Sequence, residues 1–305
     1  MKLLAIVQSS SLLALFLLMP APNNWPQPAL KVDAASVAQP LNLSWEPAKL
    51  VNGSPCLFRV KPEKSLKSLS GLWQGRRISF DFDAPSGTWY GLAGVELDTT
   101  AGRHQLTLNA VLANGAHSSS GHAVTIDRAA YRRVTLSVPK RFLEPDAETL
   151  ARIKQEQELK REAFDHVSKD RLWSGSFVAP IDNATTENFG TQRTFNGKLQ
   201  SVHQGLDYRA STGTPVRAMN GGEVILAGDL FFEGGFLVID HGQGLLTMYM
   251  HLSEINVKAD QRVAKGQIVA MSGGSGRATG PHLHLSVRWQ TAYIDPATLL
   301  KLQLP

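Results

Sequence analysis

The sequence predicts a mainly β protein in which one helix joins two β-rich parts. The first part, from about Leu41 to Val138, alternates short apolar runs with turn residues. A charged stretch with helical spacing follows over about Phe142–Lys169, and short apolar runs separated by glycines return after Trp173. Alternation with a period of two between turns is typical of strands, whereas apolar spacing of three to four is typical of helices.

The N-terminus has the pattern of a targeting segment. Lys2 gives it a positive start, and Leu3–Met19 is almost wholly apolar. Its tightest apolar core, Leu12–Met19, is too short to cross a bilayer, since a membrane-spanning helix needs about 20 residues. We therefore expect residues 1–38 to hold a secretory signal peptide, or alternatively a retained membrane anchor, followed by a linker. Both alternatives predict an exported protein of the periplasm or cell envelope.

Residues 39–140 are predicted to form an Ig-like β-sandwich, because short strands recur between turn signals. The predicted strands are Leu57–Val60, Ile78–Phe82, Trp89–Leu97, Leu106–Leu112, Val124–Ile126 and Val134–Val138. His104, His117 and His122 lie near turns with no partner at metal-ligand spacing, so we expect surface histidines. The sandwich is therefore expected to be a spacer or binding module rather than a catalytic domain.

Residues 141–172 are predicted to form a helical linker. Pro145 and Asp146 give a helix start, with Asp146 as N-cap and Glu148 in the first turn. The apolar positions form only a partial stripe, at Leu150, Ile153, Leu159, Phe164 and Val167. Because the remaining positions are mostly charged, we expect a solvated helix that packs one face on a domain.

Residues 173–305 are predicted to form a compact, mostly antiparallel β domain with tight glycine turns. The predicted strands are Val216–Ala218, Glu223–Ala227, Phe236–Asp240, Leu245–His251, Gln267–Met271 and His282–Arg288.

The composition and charge limit the classes of partner that the sequence predicts. The chain has 305 residues and a formal net charge of +5, which favours an anionic partner such as an acidic wall polymer. There is no Arg/Lys tract with interleaved aromatic residues, so we expect no nucleic-acid partner. Cys56 is the only cysteine, which excludes an internal disulfide and any multi-cysteine zinc site. We expect its thiol to be buried or inert.

Five of the nine histidines fall in the last domain, at His203, His241, His251, His282 and His284. Histidine and carboxylate ligands without thiolate are typical of a catalytic zinc site. In a strand, His282 and His284 would point to the same side. Asp207 follows His203 by four positions, and Gly205 between them would let the chain bend so that both side chains converge.

His203, Asp207 and either His282 or His284 would supply three zinc ligands, leaving a fourth position for water. Zinc would lower the pKa of that water and polarise a scissile carbonyl. The spare histidine of the pair, together with His251, would be left for proton transfer or for stabilising the transition state.

Several blocks over about Phe177–Leu300 resemble the lysostaphin/LytM-type zinc metallopeptidases, which cut peptide bonds in peptidoglycan and have the duplicated hybrid motif fold. The blocks are Asn188–Gly190 with Arg193, His203–Asp207, Gly213–Val216, Asn220–Val224, Val238–Gly242, Tyr249–Leu252, Val263–Gln267 and Gly280–His284. The β-rich front domain and linker helix also resemble the layout of cell-envelope members of this family.

The resemblance assigns roles to five residues. It implies that His203, Asp207 and His284 hold one Zn2+ per chain, and that His251 and His282 are the catalytic pair. The choice of His284 over His282 as a ligand comes from the resemblance and not from the spacing.

Several further residues have no assigned role in the chemistry. Some family members have a tyrosine shortly before the first ligand, but here that stretch is Phe195–Lys198 without a tyrosine. Asn188 and Arg193 are expected either to line the cleft or to support the fold. His241, in an Asp-His-Gly turn, is expected to be structural.

The function expected from the resemblance is a zinc endopeptidase that hydrolyses peptide cross-links of bacterial peptidoglycan. One alternative is a catalytically inactive LytM-type activator of a wall amidase, which typically lacks one or more ligands. Another is an exported protease of Gly-rich proteins. All five expected side chains are present, which favours an enzyme. The bond cut and the oligomeric state are not predicted.

Overall fold

The computed structural model describes residues 41–136, 145–165, 168–195 and 199–305, which belong to a single compact unit. The predicted signal peptide or anchor, residues 1–38, lies outside the described residues, as do residues 196–198 of the stretch without a tyrosine. Within the described ranges, none of the helices has the length and apolar character needed to cross a membrane.

The first part of the chain forms two facing β-sheets. Its nine strands are β1 (Leu41–Glu46), β2 (Leu50–Val51), β3 (Pro55–Pro62), β4 (Leu66–Trp73), β5 (Arg76–Ser79), β6 (Asp81–Asp83), β7 (Thr88–Gly94), β8 (Gly102–Leu112) and β9 (His117–Asp127). One sheet has the order β1-β3-β7-β6 and the other β2-β9-β8-β4-β5.

The core between the two sheets contains packed aromatic side chains. Phe58 of one sheet meets Trp73 of the other edge to face, with ring centroids 5.5 Å apart. The Trp73 indole donates to the carbonyl of Gly94 at 3.0 Å, so its polar edge is satisfied in the interior. Cys56 is fully buried in this core, and burial raises the pKa of its thiol well above the ordinary value. The expectation of a buried thiol is confirmed.

A small three-stranded sheet joins the sandwich to the rest of the chain. It consists of β10 (Arg133–Leu136), β12 (Gln192–Phe195) and β13 (Leu199–Val202), in that order. β10 corresponds to the last apolar run of the predicted sandwich, yet it pairs in parallel with β12 rather than with either sandwich sheet.

The predicted helix is present as α1 (Ala147–Asp165). The Asp146 carboxylate accepts the Thr149 N–H at 2.8 Å, which is the expected N-cap interaction. The helix packs on the strand β16 (Gly222–Leu230), where Phe164 lies against an apolar cluster that includes Leu226 and Phe236.

The last part of the chain forms a ten-stranded antiparallel sheet. Its remaining strands are β11 (Thr185–Glu187), β14 (Gly205–Arg209), β15 (Pro215–Arg217), β17 (Gly234–Asp240), β18 (Leu245–Ile255), β19 (Arg262–Val263), β20 (Ile268–Ser272), β21 (His282–Trp289) and β22 (Ala292–Ile294). The main path is β11-β14-β21-β18-β17-β16-β19, β15 pairs with β20, and a short helix, α2 (Pro296–Leu299), follows β22. The mainly β fold with one central helix is confirmed.

Polar contacts join this sheet to the sandwich. The Asp295 N–H donates to the carbonyl of Gly53 at 2.8 Å, and the Gln290 amide donates to the carbonyl of Arg77 at 2.7 Å. Arg76 also donates to the Thr291 hydroxyl at 2.7 Å. These hydrogen bonds connect strand β5 and the β2–β3 turn of the sandwich to the segment around β22.

Candidate metal centre

Strand pairing places the candidate ligands opposite one another. β14 and β21 are antiparallel neighbours, and their register sets Asp207 directly across from His284. His203 lies just before β14, where its backbone N–H donates to the Thr191 carbonyl and its own carbonyl accepts the Gly190 N–H, both at 2.8 Å. The turn from Asn188 to Thr191 therefore fixes the backbone of His203 against the edge of the sheet.

Three ligand atoms converge in this arrangement. The Nε2 atom of His203 lies 3.1 Å from Oδ1 of Asp207 and 3.0 Å from Nδ1 of His284. The same Nδ1 and Oδ1 atoms are 2.7 Å apart. All three side chains are buried, with exposed fractions of 2% for His203, 7% for Asp207 and 8% for His284.

Hydrogen bonds behind the cluster orient both imidazoles. The Nδ1–H of His203 donates to the Asn188 carbonyl at 3.0 Å, which leaves Nε2 as a bare lone pair facing the cluster. The Nε2 atom of His284 lies 2.9 Å from the buried Ser286 hydroxyl. With an Nε2–H donated to Ser286, Nδ1 of His284 is also bare toward Asp207.

The second carboxylate oxygen of Asp207 is held by Arg193, whose guanidinium donates to it at 2.8 Å. The same guanidinium makes two hydrogen bonds to Glu187, at 2.9 and 2.6 Å. Burial alone would raise the pKa of Asp207, but the adjacent imidazoles of His203 and His284 outweigh burial and hold that pKa below its ordinary value. Asp207 is therefore an anion facing two imidazoles.

Gly205 has a different role from the expected one. It lies within β14, and its φ is not among the positive values that glycine permits elsewhere in the chain. A Cβ at this position would lie 2.3 Å from the Leu285 carbonyl oxygen and 2.7 Å from Nε2 of His284. Glycine is needed because the His284 ring lies against this backbone, and not because the chain bends.

The two remaining site histidines lie beside the cluster. The His251 ring is 4.7 Å from the His282 ring and 6.1 Å from the His284 ring, measured between centroids. The Nδ1–H of His251 donates to the Ser275 carbonyl, and the Nδ1–H of His282 donates to the Gly280 carbonyl, both at 2.8 Å. Each ring is thereby left with a bare Nε2, and that of His282 lies 3.8 Å from Oδ1 of Asp207.

His251 occupies an unusual backbone position that the sequence does not reveal. Its φ is +62°, a left-handed conformation that β-strand residues other than glycine seldom adopt. The pairing of β17 with β18 shifts by one residue between Leu237–Tyr249 and Gly235–Leu252, so a β-bulge turns the chain here. The bulge re-aims the His251 side chain.

Burial controls the charge of the histidines around the centre. Burial, with smaller contributions from the neighbouring His284 and His282, lowers the pKa of His251 to about 3. Burial also lowers the pKa of His284, although the adjacent Asp207 carboxylate opposes this shift. Both rings are therefore neutral at pH 7, the form in which an imidazole is a metal ligand or a proton acceptor.

His241, expected to be structural, is fully buried away from these contacts. Its Nδ1–H donates to the Gly221 carbonyl at 2.7 Å, and its Nε2 lies 2.8 Å from the Thr247 hydroxyl. Burial lowers its pKa to about 4. Of the sandwich histidines, His117 is exposed, whereas His104 and His122 are half-buried.

The cluster has the size of a metal site. Its three facing atoms are separated by 2.7 to 3.1 Å, whereas ligand atoms about 2.0–2.1 Å from a tetrahedral zinc would be about 3.3 Å apart. Each ligand is oriented from behind by its own hydrogen bond, as metal ligands generally are. In the described ranges, His203, Asp207 and His284 form the one group of such side chains whose ligand atoms converge.

Residues 201–296 match the sequence profile of Peptidase family M23. The chain carries an M23 peptidase domain. Peptidoglycan DD-endopeptidase ShyA of Vibrio cholerae is 37% identical over 131 residues, which is 41% of this chain and 29% of ShyA. DD-carboxypeptidase/endopeptidase Mpg of Neisseria meningitidis is 37% identical over 98 residues, which is 32% of this chain and 23% of Mpg. The chain spans less than a third of the length of these curated relatives.

The likeness to one solved structure extends beyond the M23 domain. A crystal structure described as a peptidase M23 from Pseudomonas aeruginosa matches 83% of this chain and 95% of its own, with 28% identity and a TM-score of 0.63. Because 83% of the chain is far more than residues 201–296, the shared fold includes the sandwich as well as the M23 domain.

The sequence predictions named the five histidine and aspartate side chains that the structure brings together. They did not assign roles to Ser286 or Glu187, and they left Arg193 open between a cleft role and a fold role. The sequence does contain a signal for Ser286. It lies two positions after His284 on β21, and residues two apart in a strand share a face. No local pattern marks Glu187, which reaches the centre only through Arg193.

Proposed function

We propose that this chain is a zinc-dependent endopeptidase that hydrolyses peptide cross-links of bacterial peptidoglycan and acts in the periplasm or cell envelope. One observation carries the proposal. Three bare ligand atoms, of His203, Asp207 and His284, converge within an M23 domain, next to the rings of His251 and His282. The names of ShyA and Mpg, which are peptidoglycan or DD-peptide hydrolases, support this substrate class.

The donor set supports one zinc ion per chain, held by His203, Asp207 and His284. Two imidazoles and one carboxylate, with no thiolate, are the ligands of catalytic zinc sites that keep a position open for water. A bound zinc ion would supply Lewis acidity, lowering the pKa of that water and polarising the scissile carbonyl.

His251 and His282 are proposed to move the protons of the reaction. Both rings present a bare Nε2, because each donates its Nδ1–H to a backbone carbonyl. One Nε2 accepts a proton from the attacking water as its oxygen bonds to the carbonyl carbon. The resulting imidazolium donates that proton to the leaving amine nitrogen when the C–N bond breaks. When the Nε2 of the second ring carries a proton, its N–H stabilises the negative oxygen formed in between.

The amidase-activator alternative is less well supported. An activator needs no complete metal site, yet here all three ligands are oriented by hydrogen bonds with Asn188, Arg193 and Ser286. A module that only binds a partner does not need side chains oriented in this way, whereas a metal site does.

The test is digestion of purified sacculi by the zinc-loaded chain, with the released muropeptides identified by mass spectrometry. We expect cross-linked dimers to decrease and monomers to increase, and His284→Ala to abolish this change. His117→Ala, which removes an exposed histidine of the sandwich, is the matched control and should keep full activity.

Two outcomes would contradict the proposal. If sacculi stay intact while free glycine-rich peptides are cut, the chain is a peptidase but not a wall hydrolase. If wild type and His284→Ala both fail to cut cross-links, yet equally stimulate an added wall amidase, the activator alternative is correct.

A further inference from the structure

Helix α1 precedes the residues that match the M23 profile, yet it contacts the M23 domain at two levels. Near its C-terminal end, the Phe164 ring packs on the cluster formed by β16, β17 and β18. The Arg288 guanidinium lies over the same ring, 4.6 Å from its centroid. This apolar contact fixes where the helix lies but does not reach the catalytic histidines.

The second level is polar and lies at the β16–β17 turn (residues 231–233). Both carboxylate oxygens of Glu156 accept the Phe231 N–H, at 2.9 and 3.1 Å, and Arg152 donates to Glu156 at 2.6 Å. One turn further along the helix, the Lys160 ammonium donates to the Glu233 carboxylate at 2.5 Å.

The Glu156 and Lys160 contacts are shielded from solvent, whereas most other polar side chains of the helix are exposed. Glu156 is the buried residue of α1, although carboxylates are seldom buried without a partner. The side chains of Lys160 and Glu233 are only 23% and 14% exposed. Shielding makes such pairs stronger and more directional than ion pairs on an open helix face. The helix is therefore attached specifically to the turn.

The β16–β17 turn also holds His251. The Glu233 carbonyl accepts the His251 backbone N–H at 2.8 Å. The segment that follows packs on Ser275, since a Cβ on Gly234 would lie 2.3 Å from the Ser275 hydroxyl. Ser275 in turn accepts the Nδ1–H of His251 through its carbonyl. Both the backbone and the ring of His251 are thus held by segments that depend on the turn.

We propose that α1 is a positioning element of the catalytic centre, in which Glu156 and Lys160 hold the β16–β17 turn and thereby fix the backbone and ring of His251. A left-handed backbone at a histidine is unfavourable by itself and persists only where its surroundings hold it. Without the contacts from the helix, the turn is free to move and His251 can relax toward an ordinary strand conformation. The hydrogen bonds that orient His203, Asp207 and His284 go to Asn188, Arg193 and Ser286, which lie outside this turn.

The expected effect on catalysis rests on the proposed function, whereas the expected effect on the position of His251 does not. Lys160→Met removes the charge at the turn while keeping the length of the side chain. We expect it to lower kcat about 10- to 100-fold, because small displacements of a reacting group have effects of that size, with KM and zinc affinity within about twofold of wild type. Glu156→Met should act in the same direction. Lys160→Arg keeps the charge and should restore most of the activity.

Arg161→Met is the matched control. Arg161 is a cation on the same helix, and among the described residues its ion pairs are with Glu158 and Asp165 of α1. The control should keep the kcat of wild type. The proposal is overturned if Lys160→Met and Arg161→Met have equal kcat, or if Lys160→Met lowers kcat and zinc affinity in parallel, which would indicate general loosening of the fold.

A readout without substrate separates this proposal from the proposed function. In the zinc-loaded protein, hydrogen exchange of the His251 amide and the nitrogen chemical shifts of its ring report its position directly. Lys160→Met should speed exchange of that amide at least tenfold and shift the ring signals, whereas Arg161→Met should not. If these signals are unchanged in Lys160→Met, the helix does not position His251, whether or not the wild type hydrolyses peptidoglycan.

Discussion

Ser286→Ala should weaken zinc binding although Ser286 is not a ligand. The Ser286 hydroxyl lies 2.9 Å from Nε2 of His284 and is 1% exposed, so no bulk water can replace it. While it accepts the Nε2–H, Nδ1 of His284 is free of a proton. Without it, the favoured tautomer carries its proton on Nδ1, where Oδ1 of Asp207 accepts it at 2.7 Å. Zinc would then have to displace that proton.

The size of the effect follows from the hydrogen bond that is lost. In the variant, the metal-binding tautomer of His284 has a buried N–H without an acceptor, which costs about 1–3 kcal/mol. Every 1.4 kcal/mol is about tenfold in affinity, so zinc should bind about 10- to 100-fold more weakly. That range agrees with the general effect of removing a group that orients a metal ligand, also about 10- to 100-fold.

Thr247→Val is a control with the same local chemistry. The Thr247 hydroxyl lies 2.8 Å from Nε2 of His241 and is fully buried, so this change also removes the hydroxyl partner of a buried histidine. His241 is not part of the metal cluster. Thr247→Val should lower the free energy of unfolding by about 1–3 kcal/mol and leave the zinc affinity within twofold of wild type.

Zinc affinity is measured by competition with a chromophoric chelator, and stability by urea unfolding of the zinc-free protein. A zinc affinity of Ser286→Ala within twofold of wild type would refute the tautomer reasoning. Equal losses of zinc affinity in Ser286→Ala and Thr247→Val would also refute it, because the effect would then come from the fold and not from the ligand.

Three further predictions follow from burial and close packing. Gly205→Ala should abolish high-affinity zinc binding in the same chelator assay. Its Cβ would lie 2.3 Å from the Leu285 carbonyl oxygen and 2.7 Å from Nε2 of His284. A variant with wild-type zinc affinity would show that the backbone can move to accommodate the Cβ. The pKa of His241 is lowered to about 4, so the folded state excludes a proton that the unfolded chain binds below about 6.5. Stability should therefore fall as pH decreases from about 6.5 toward 4, by up to about 3 kcal/mol, and urea unfolding of His241→Asn should show a shallower fall; parallel pH profiles would contradict this. Cys56 is fully buried with a raised pKa, so the native protein should not react with a thiol reagent and the urea-unfolded protein should react with one equivalent; labelling of the native protein without unfolding would show that the thiol is accessible.

The elements that the sequence predicts well are those with a local signal. The strand containing Leu245–His251 is seen as β18, and the N-cap of α1 is at Asp146, as its position before a charged helix indicates. Alternation and capping depend on neighbours within a few residues, and one sequence is enough to show them. The pairing of β10 with β12 depends on residues almost 60 positions apart, so the last apolar run was placed in the sandwich.

The parts of the site also differ in whether they have a local signal in the sequence. His282 and His284 share a face because residues two apart in a strand do so. The left-handed backbone of His251 has no local signal, since the bulge arises from a one-residue mismatch between β17 and β18. Gly205 gave a misleading signal: glycine usually marks a turn, but here it marks the close approach of a ring from the next strand.

The difference between His282 and His284 comes from strand register rather than from residue type. In the observed register, Asp207 lies across from His284, and His282 lies across from Arg209 at the end of the ladder. A slip of two residues would keep every side chain on its face and put His282 across from Asp207. That slip would also place Arg209 across from Gly280, beyond Pro281, which has no N–H to donate to a ladder. Because of Pro281, β21 begins at His282. With the strand starting there, His284 is the histidine that lies across from Asp207.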